Sequence, residues 1–214
     1  MIGLLWGSVF GTLCAGSAHA EILPRDYPTE LANAAADTIA AMARVGRMDD
    51  AEAFAKRWRT TLRTIAAADD AKLSYELGLG WRLTGQTERA LNALDAALKA
   101  HPTMVAAHYD RGELRLDQGN LEGAKADFTA VAESEPTAWP GHFRLADVAG
   151  RQGDVLTFEQ ELTAALRCGF SFRSISEDPH WREVFHDPLL GPAMQRLITV
   201  YQGEDVFTLF EEPN

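Results

Sequence analysis

The chain has 214 residues, 46% hydrophobic and 24% charged, the make-up of a folded protein and not of a disordered one. Its formal net charge of -11 and isoelectric point of about 5.0 give a surface that repels nucleic-acid phosphate and anionic lipid, so neither is expected as a partner without a local basic patch. The densest basic run, Lys56, Arg57, Arg59 and Arg63, reads as the wet side of a helix.

In chain order, residues 1–20 (MIGLLWGSVFGTLCAGSAHA) hold no Asp, Glu, Lys or Arg and close on Ala18-His19-Ala20, an A-x-A pattern before Glu21. They read as a secretory signal peptide cut after Ala20, although the n-region lacks its usual Lys or Arg; the alternatives are an uncleaved anchor or an ordinary helix. A periplasmic or secreted chain with no membrane span after cleavage is the expectation. Cys14 follows Leu13 and not a small residue, so lipidation is not expected. Cys168 is then the single cysteine. Between Leu166 and Phe170 it reads as a small buried hydrophobe.

Residues 28–66 read as two helices broken at Gly46, a divergent hairpin within 21–70. From Ala71, helical stretches alternate with short breaks. Leu73, Leu77, Trp81 and Thr84 recur at the spacing of a buried helix face, Gly85 ends that helix, and Thr87 is the expected N-cap of the next. Ala90, Leu94, Ala97 and Leu98 form the second stripe, and Pro102 stops it. The same grammar returns over 105–138, with Gly119, Asn120 as cap, Phe128 and Pro136, and more loosely over 139–172, with Gly153, Asp154 as cap, Phe158 and Leu162. Gly85, Gly119 and Gly153 are 34 residues apart, as are Tyr75, Tyr109 and Phe143. A fixed period of that length marks a repeat array. Over 173–202, Asp178-Pro179 and Asp187-Pro188 predict two capped helices, 179–186 and 188–201. The tail from 203 to 214 mixes four acids with Val206, Phe207, Leu209 and Phe210, and reads either as packed on the last hairpin or as a mobile arm.

These units resemble tetratricopeptide repeats, whose pattern runs W-x2-L-G-x2-Y, then A-x3-F, then P. Ser74, Leu77, Gly78, Trp81, Ala90, Leu94 and Pro102 occupy those places in the first unit; His108, Arg111, Gly112, Arg115, Ala124, Phe128 and Pro136 do so in the second. The third has His142, Leu145, Ala146, Ala149, Phe158, Leu162 and Phe170, and so loses its closing proline. The resemblance implies an all-α, right-handed α-solenoid of antiparallel helix hairpins with a helical C-terminal cap. It further implies a concave groove lined by Tyr75, Leu79 and Arg82, by Tyr109, Glu113 and Leu116, and by Phe143, Asp147 and Gly150. The recurring rings at 75, 109 and 143 could form an aromatic row facing a ligand, or could pack between neighbouring helices. Aromatic and acidic residues stand where some relatives carry a carboxylate clamp of Lys, Asn and Arg, so a clamp is not expected.

His108 and His142, also 34 apart, invite a metal or pH-switch reading, with packing as the simpler one. His180, Glu183 and His186 lie at i, i+3 and i+6, without the i, i+4 histidine pair of helical zinc sites. No phosphate loop, nucleophile elbow or dinucleotide fingerprint is present, and no catalytic residue, cofactor or metal is expected. The chain therefore reads as a non-catalytic scaffold or adaptor of the cell envelope that binds a protein or peptide in its groove. The alternatives are a self-associating envelope component and a metal-dependent helical-repeat enzyme.

Overall fold

The computed structural model describes residues 27–61 and 67–211; residues 1–20, read from sequence as a signal peptide, lie outside them. Among the described residues there are eleven α-helices, one 3-10 helix and no strand. Four hairpins follow one another: α1 (Tyr27–Arg44) with α2 (Met48–Thr61), α3 (Ala67–Leu83) with α4 (Thr87–Ala100), α5 (Val105–Asp117) with α6 (Leu121–Ser134), and α7 (Trp139–Gln152) with α8 (Val155–Arg167). After a 3-10 turn at Phe172–Ile175 come α9 (Pro179–His186), α10 (Gly191–Tyr201) and α11 (Glu204–Glu211). The whole is a helical solenoid. No helix among the described residues is long and apolar enough to cross a membrane.

The periodic glycines set the hairpins. Gly85 has φ +72°, and its successor Gln86 donates back to the Trp81 carbonyl at 2.9 Å while Gly85 itself donates to Arg82. This left-handed cap satisfies the last carbonyls of α3 and reverses the chain; Gly46, Gly119 and Gly153 repeat it with φ between 72° and 74°. Second helices are capped as the sequence suggests at Asn120 and Asp154, whose side chains accept from Gly123 N and Thr157 N. Two expectations differ. Thr87 is the first residue of α4 and not its cap, a position held by Gln86 without a side-chain bond. Asp187 accepts from the amides of Leu189 and Leu190, but the helix proper begins only at Gly191, because 187–190 form a turn first. The first helix of the second hairpin, α3, starts at Ala67 and not at the Ala71 read from sequence, an expectable result for the strong helix formers Ala67 and Ala68.

Packing is serial. One core joins Ile39, Met48, Leu73, Trp81 and Leu94 in the first two hairpins. A second holds Leu116, Phe128 and Leu145. The third, richest in rings, joins Phe143, Phe158 and Leu162 to Phe172, Trp181, Phe185 and Phe210 of the terminal helices. The acidic tail is therefore helical over α11, with Val206 and Phe210 buried and the Arg182 guanidinium donating to the Leu209 carbonyl at 2.8 Å. Cys168 is half-buried, its thiol 3.6 Å from the Pro136 carbonyl, and not the fully buried hydrophobe of the sequence reading.

Candidate functional site

The first helices of the hairpins, α1, α3, α5 and α7, are bonded to one another by polar side chains that step from repeat to repeat. Lys72 of α3 donates to Asn33 of α1 at 2.5 Å. The Tyr75 hydroxyl donates to one oxygen of Asp110 on α5 at 2.8 Å, and Arg82 donates to the other at 2.5 Å. One repeat later, Arg144 of α7 donates to the Tyr109 hydroxyl at 3.3 Å and to Glu113 at 2.8 Å. Arg144 also lies 3.4 Å from Asp147, whose carboxylate takes Arg151 at 2.9 Å and His180 of α9 at 3.1 Å. A continuous row of paired charges and phenols thus runs from the second hairpin to the cap.

Burial tunes these groups. Desolvation raises the Tyr75 phenol, and its bond to Asp110 raises it further, so it stays protonated. Desolvation also lifts the Glu113 carboxyl above its ordinary value, against the pull of Arg144 and Arg82. Burial acts upward on Asp147 too, but the bonds from His180 and Arg151 outweigh it and hold that carboxyl below the usual carboxylate range.

The nine sequence-read groove positions divide accordingly. Tyr75, Leu79, Arg82, Tyr109 and Glu113 are half-buried along α3 and α5. The Tyr109 ring also meets Phe128 edge-on at 5.8 Å, so it packs as well as facing outward. Leu116 and Phe143 are in the core, the latter with its centroid 4.6 Å from Phe170 and 4.8 Å from Trp181. Of the three recurring rings, Tyr75 and Tyr109 are half-buried, while Phe143 follows the packing alternative. Asp147 is buried, and Gly150 packs near Phe158 and Leu190. Asp110 and Arg144, which no groove pattern supplied, are the residues that join the repeats. Their signal was present: each directly follows the recurring ring, at 110 and 144.

The histidines do not meet. His108 Nδ1 lies 2.9 Å from Asp127 and His142 Nδ1 lies 2.8 Å from Glu161, each within its own hairpin and 19 residues from its partner. His180 turns to Asp147, while Glu183 and His186 are exposed. Among the described residues no three His, Cys, Asp or Glu side chains are grouped to hold a metal. What the first-helix face offers is a fixed pattern of donors and acceptors.

The tetratricopeptide repeat profile matches residues 84–132 and 109–169. No curated protein matches the sequence. Among solved structures, that described as the MamA RS-1 ArsTM double mutant superposes with a TM-score of 0.58 at 20% identity, over 84% of this chain and 92% of that one. At that identity the likeness speaks for the fold.

Proposed function

We propose that this chain, which belongs to the tetratricopeptide repeat family, uses the first-helix face of its solenoid to hold an extended polar segment of a partner protein. Repeats of this kind make it a protein-interaction scaffold. The observation that carries the finer reading is the row Tyr75–Asp110–Arg82 and Tyr109–Arg144–Glu113. It fixes alternating donors and acceptors in half-buried positions before any partner arrives. Groups held in place by one another lose little freedom on binding, which favours capture of a chain that is itself flexible. Paired charges along the face favour a polar segment over an apolar helix.

A photoreactive residue at Leu79 tests this, with one at Lys125 on the exposed side of α6 as comparison. Crosslinks from 79 and not from 125, lost with Arg82→Gln and Arg144→Gln, support the reading. Equal yield from both positions removes it. The apolar stretch and A-x-A ending of residues 1–20 support an envelope location, as a non-catalytic scaffold. Mass spectrometry of the purified protein should find Glu21 as its first residue; an intact Met1 sinks that proposal.

A further inference from the structure

The opposite face carries a second candidate site. Between α2 and α4, with α3 as floor, lies an open cleft of about 390 Å3. Leu77, Trp81 and Ala93 form its bottom, Arg59 and Arg89 its walls, and the buried Ser74 its inner end. It shares Glu52 and Arg59 with a neighbouring trough that reaches Lys56 and Thr60 along α2.

The next cleft, between α4 and α6 over α5, is filled. Arg111 spans it, 2.6 Å from Asp95 on α4 and 2.6 Å from the buried Asp127 on α6. Arg115 and His108 close on the same Asp127 at 2.7 and 2.9 Å. In repeat register, Leu77 and Ala93 stand 34 residues before Arg111 and Asp127, and Lys56 stands 39 before Asp95, the spacing that separates the hairpin glycines Gly46 and Gly85. The first cleft therefore has neither the guanidinium that would span it nor the acid that would answer it, and the trough that prolongs it carries a cation, Lys56, where the second has an acid.

Its walls hold two guanidiniums, Arg59 and Arg89, and the carboxylate of Glu52 beside an apolar floor. Arg59 donates to Ser74 Oγ at 2.6 Å and pairs with Asp70, while Arg89 lies over the Trp81 ring at 4.2 Å. The acids near Arg89 are loosely placed, Asp49 at 3.3 Å and Glu52 at 3.9 Å, so an incoming carboxylate can displace them. The cleft is open along one side and prolonged by the second trough, a shape suited to a chain and not to a small molecule, whose pockets enclose most of its surface.

We propose that this cleft binds an acidic peptide segment of a partner, with one apolar side chain on Leu77 and Trp81 and a neighbouring carboxylate against Arg59, Arg89 and Lys56. Titration of the purified protein with acetyl-Glu-Phe-Glu-Glu-amide, followed by amide NMR, tests it. Shifts should concentrate at Ser74, Leu77, Ala93 and Ala96 and at the Trp81 indole. The peptide with Gln for Glu, and the Arg59→Gln/Arg89→Gln protein, should each bind at least about tenfold more weakly. Any of three results overturns the proposal: no shift in the cleft at millimolar peptide, equal binding of the Gln peptide, or equal binding of free 3-phenylpropionate. Shifts confined to Tyr75, Leu79 and Tyr109 would also overturn it, while leaving the first-helix face in play; the converse pattern leaves the cleft standing whatever becomes of that face.

Discussion

Asp147 carries the heaviest polar traffic in the molecule's third repeat. With its side chain only 2% exposed it still takes Arg151 and His180, and sits within ion-pair distance of Arg144. Its folded pKa is depressed, so its stabilising contribution is present above the unfolded carboxylate value of about 4 and is lost as pH falls through the lower folded value. Asp147→Asn should cost about 1–3 kcal/mol at neutral pH and should flatten the acid limb of stability against pH. Urea midpoints measured between neutral pH and about pH 3 check this; parallel profiles for the two proteins would mean that the carboxylate is not what holds α9 to α7. Reading the residue from sequence placed it in a groove, because the repeat pattern assigns faces and cannot see a terminal helix folding back with His180. Tyr75 stays half-buried on α3. Its partner lies on the next repeat at the same helical level, and a 34-residue period conveys that kind of neighbour. On this face, Tyr75→Phe removes one hydroxyl bond to Asp110 and should lower stability by about 1 kcal/mol, since Arg82 keeps that carboxylate paired. Thermal unfolding of the single variant beside Arg82→Gln checks it.

The repeated glycines separate close approach from backbone shape at the level of the helical hairpin. At Gly112 an added Cβ would come within 2.7 Å of the fully buried Phe128 ring, which has nowhere to move. At Gly119 nothing lies within 4 Å, and only the φ of +74° opposes a side chain. Gly112→Ala should therefore cost about 1–3 kcal/mol by forcing α5 from α6, and Gly119→Ala about 1 kcal/mol by backbone strain alone. A crystal structure or small-angle scattering should show changed hairpin spacing only in the first. Both glycines were legible in sequence as recurring positions of the repeat, but that the ring of Phe128 is what meets Gly112 was not. A pattern names small positions; only coordinates show what fills the space. The same limit hid the polar cluster around Asp127 of α6, for its partners His108, Arg111 and Arg115 come from α5 and the Asp95 that shares Arg111 comes from α4.

At the scale of the molecule, each hairpin touches mainly its neighbours, and the apolar residues among those described fall into three successive clusters with no common centre. Stability in such an array is a sum of local and nearest-neighbour terms, so damage at one end need not reach the other. The C-terminal cluster is the most exacting. Phe210 stacks on Phe185 at 5.1 Å and meets Phe172 edge-on at 6.5 Å, so a tail that looks dispensable by its charge closes the largest group of rings. Phe210→Ala should remove about 3–5 kcal/mol from this region. Hydrogen exchange should then speed up in α9, α10 and α11 and in the C-terminal half of α8, while α1 to α4 keep wild-type protection, because Ile39, Leu73 and Leu94 belong to a separate core. Uniform acceleration along the chain would show that the solenoid unfolds as one unit and would refute the serial account. Loss confined to the cap would explain why a terminal helix can be acidic outside and aromatic inside: it ends the stack by covering the last apolar face while turning its charges to water.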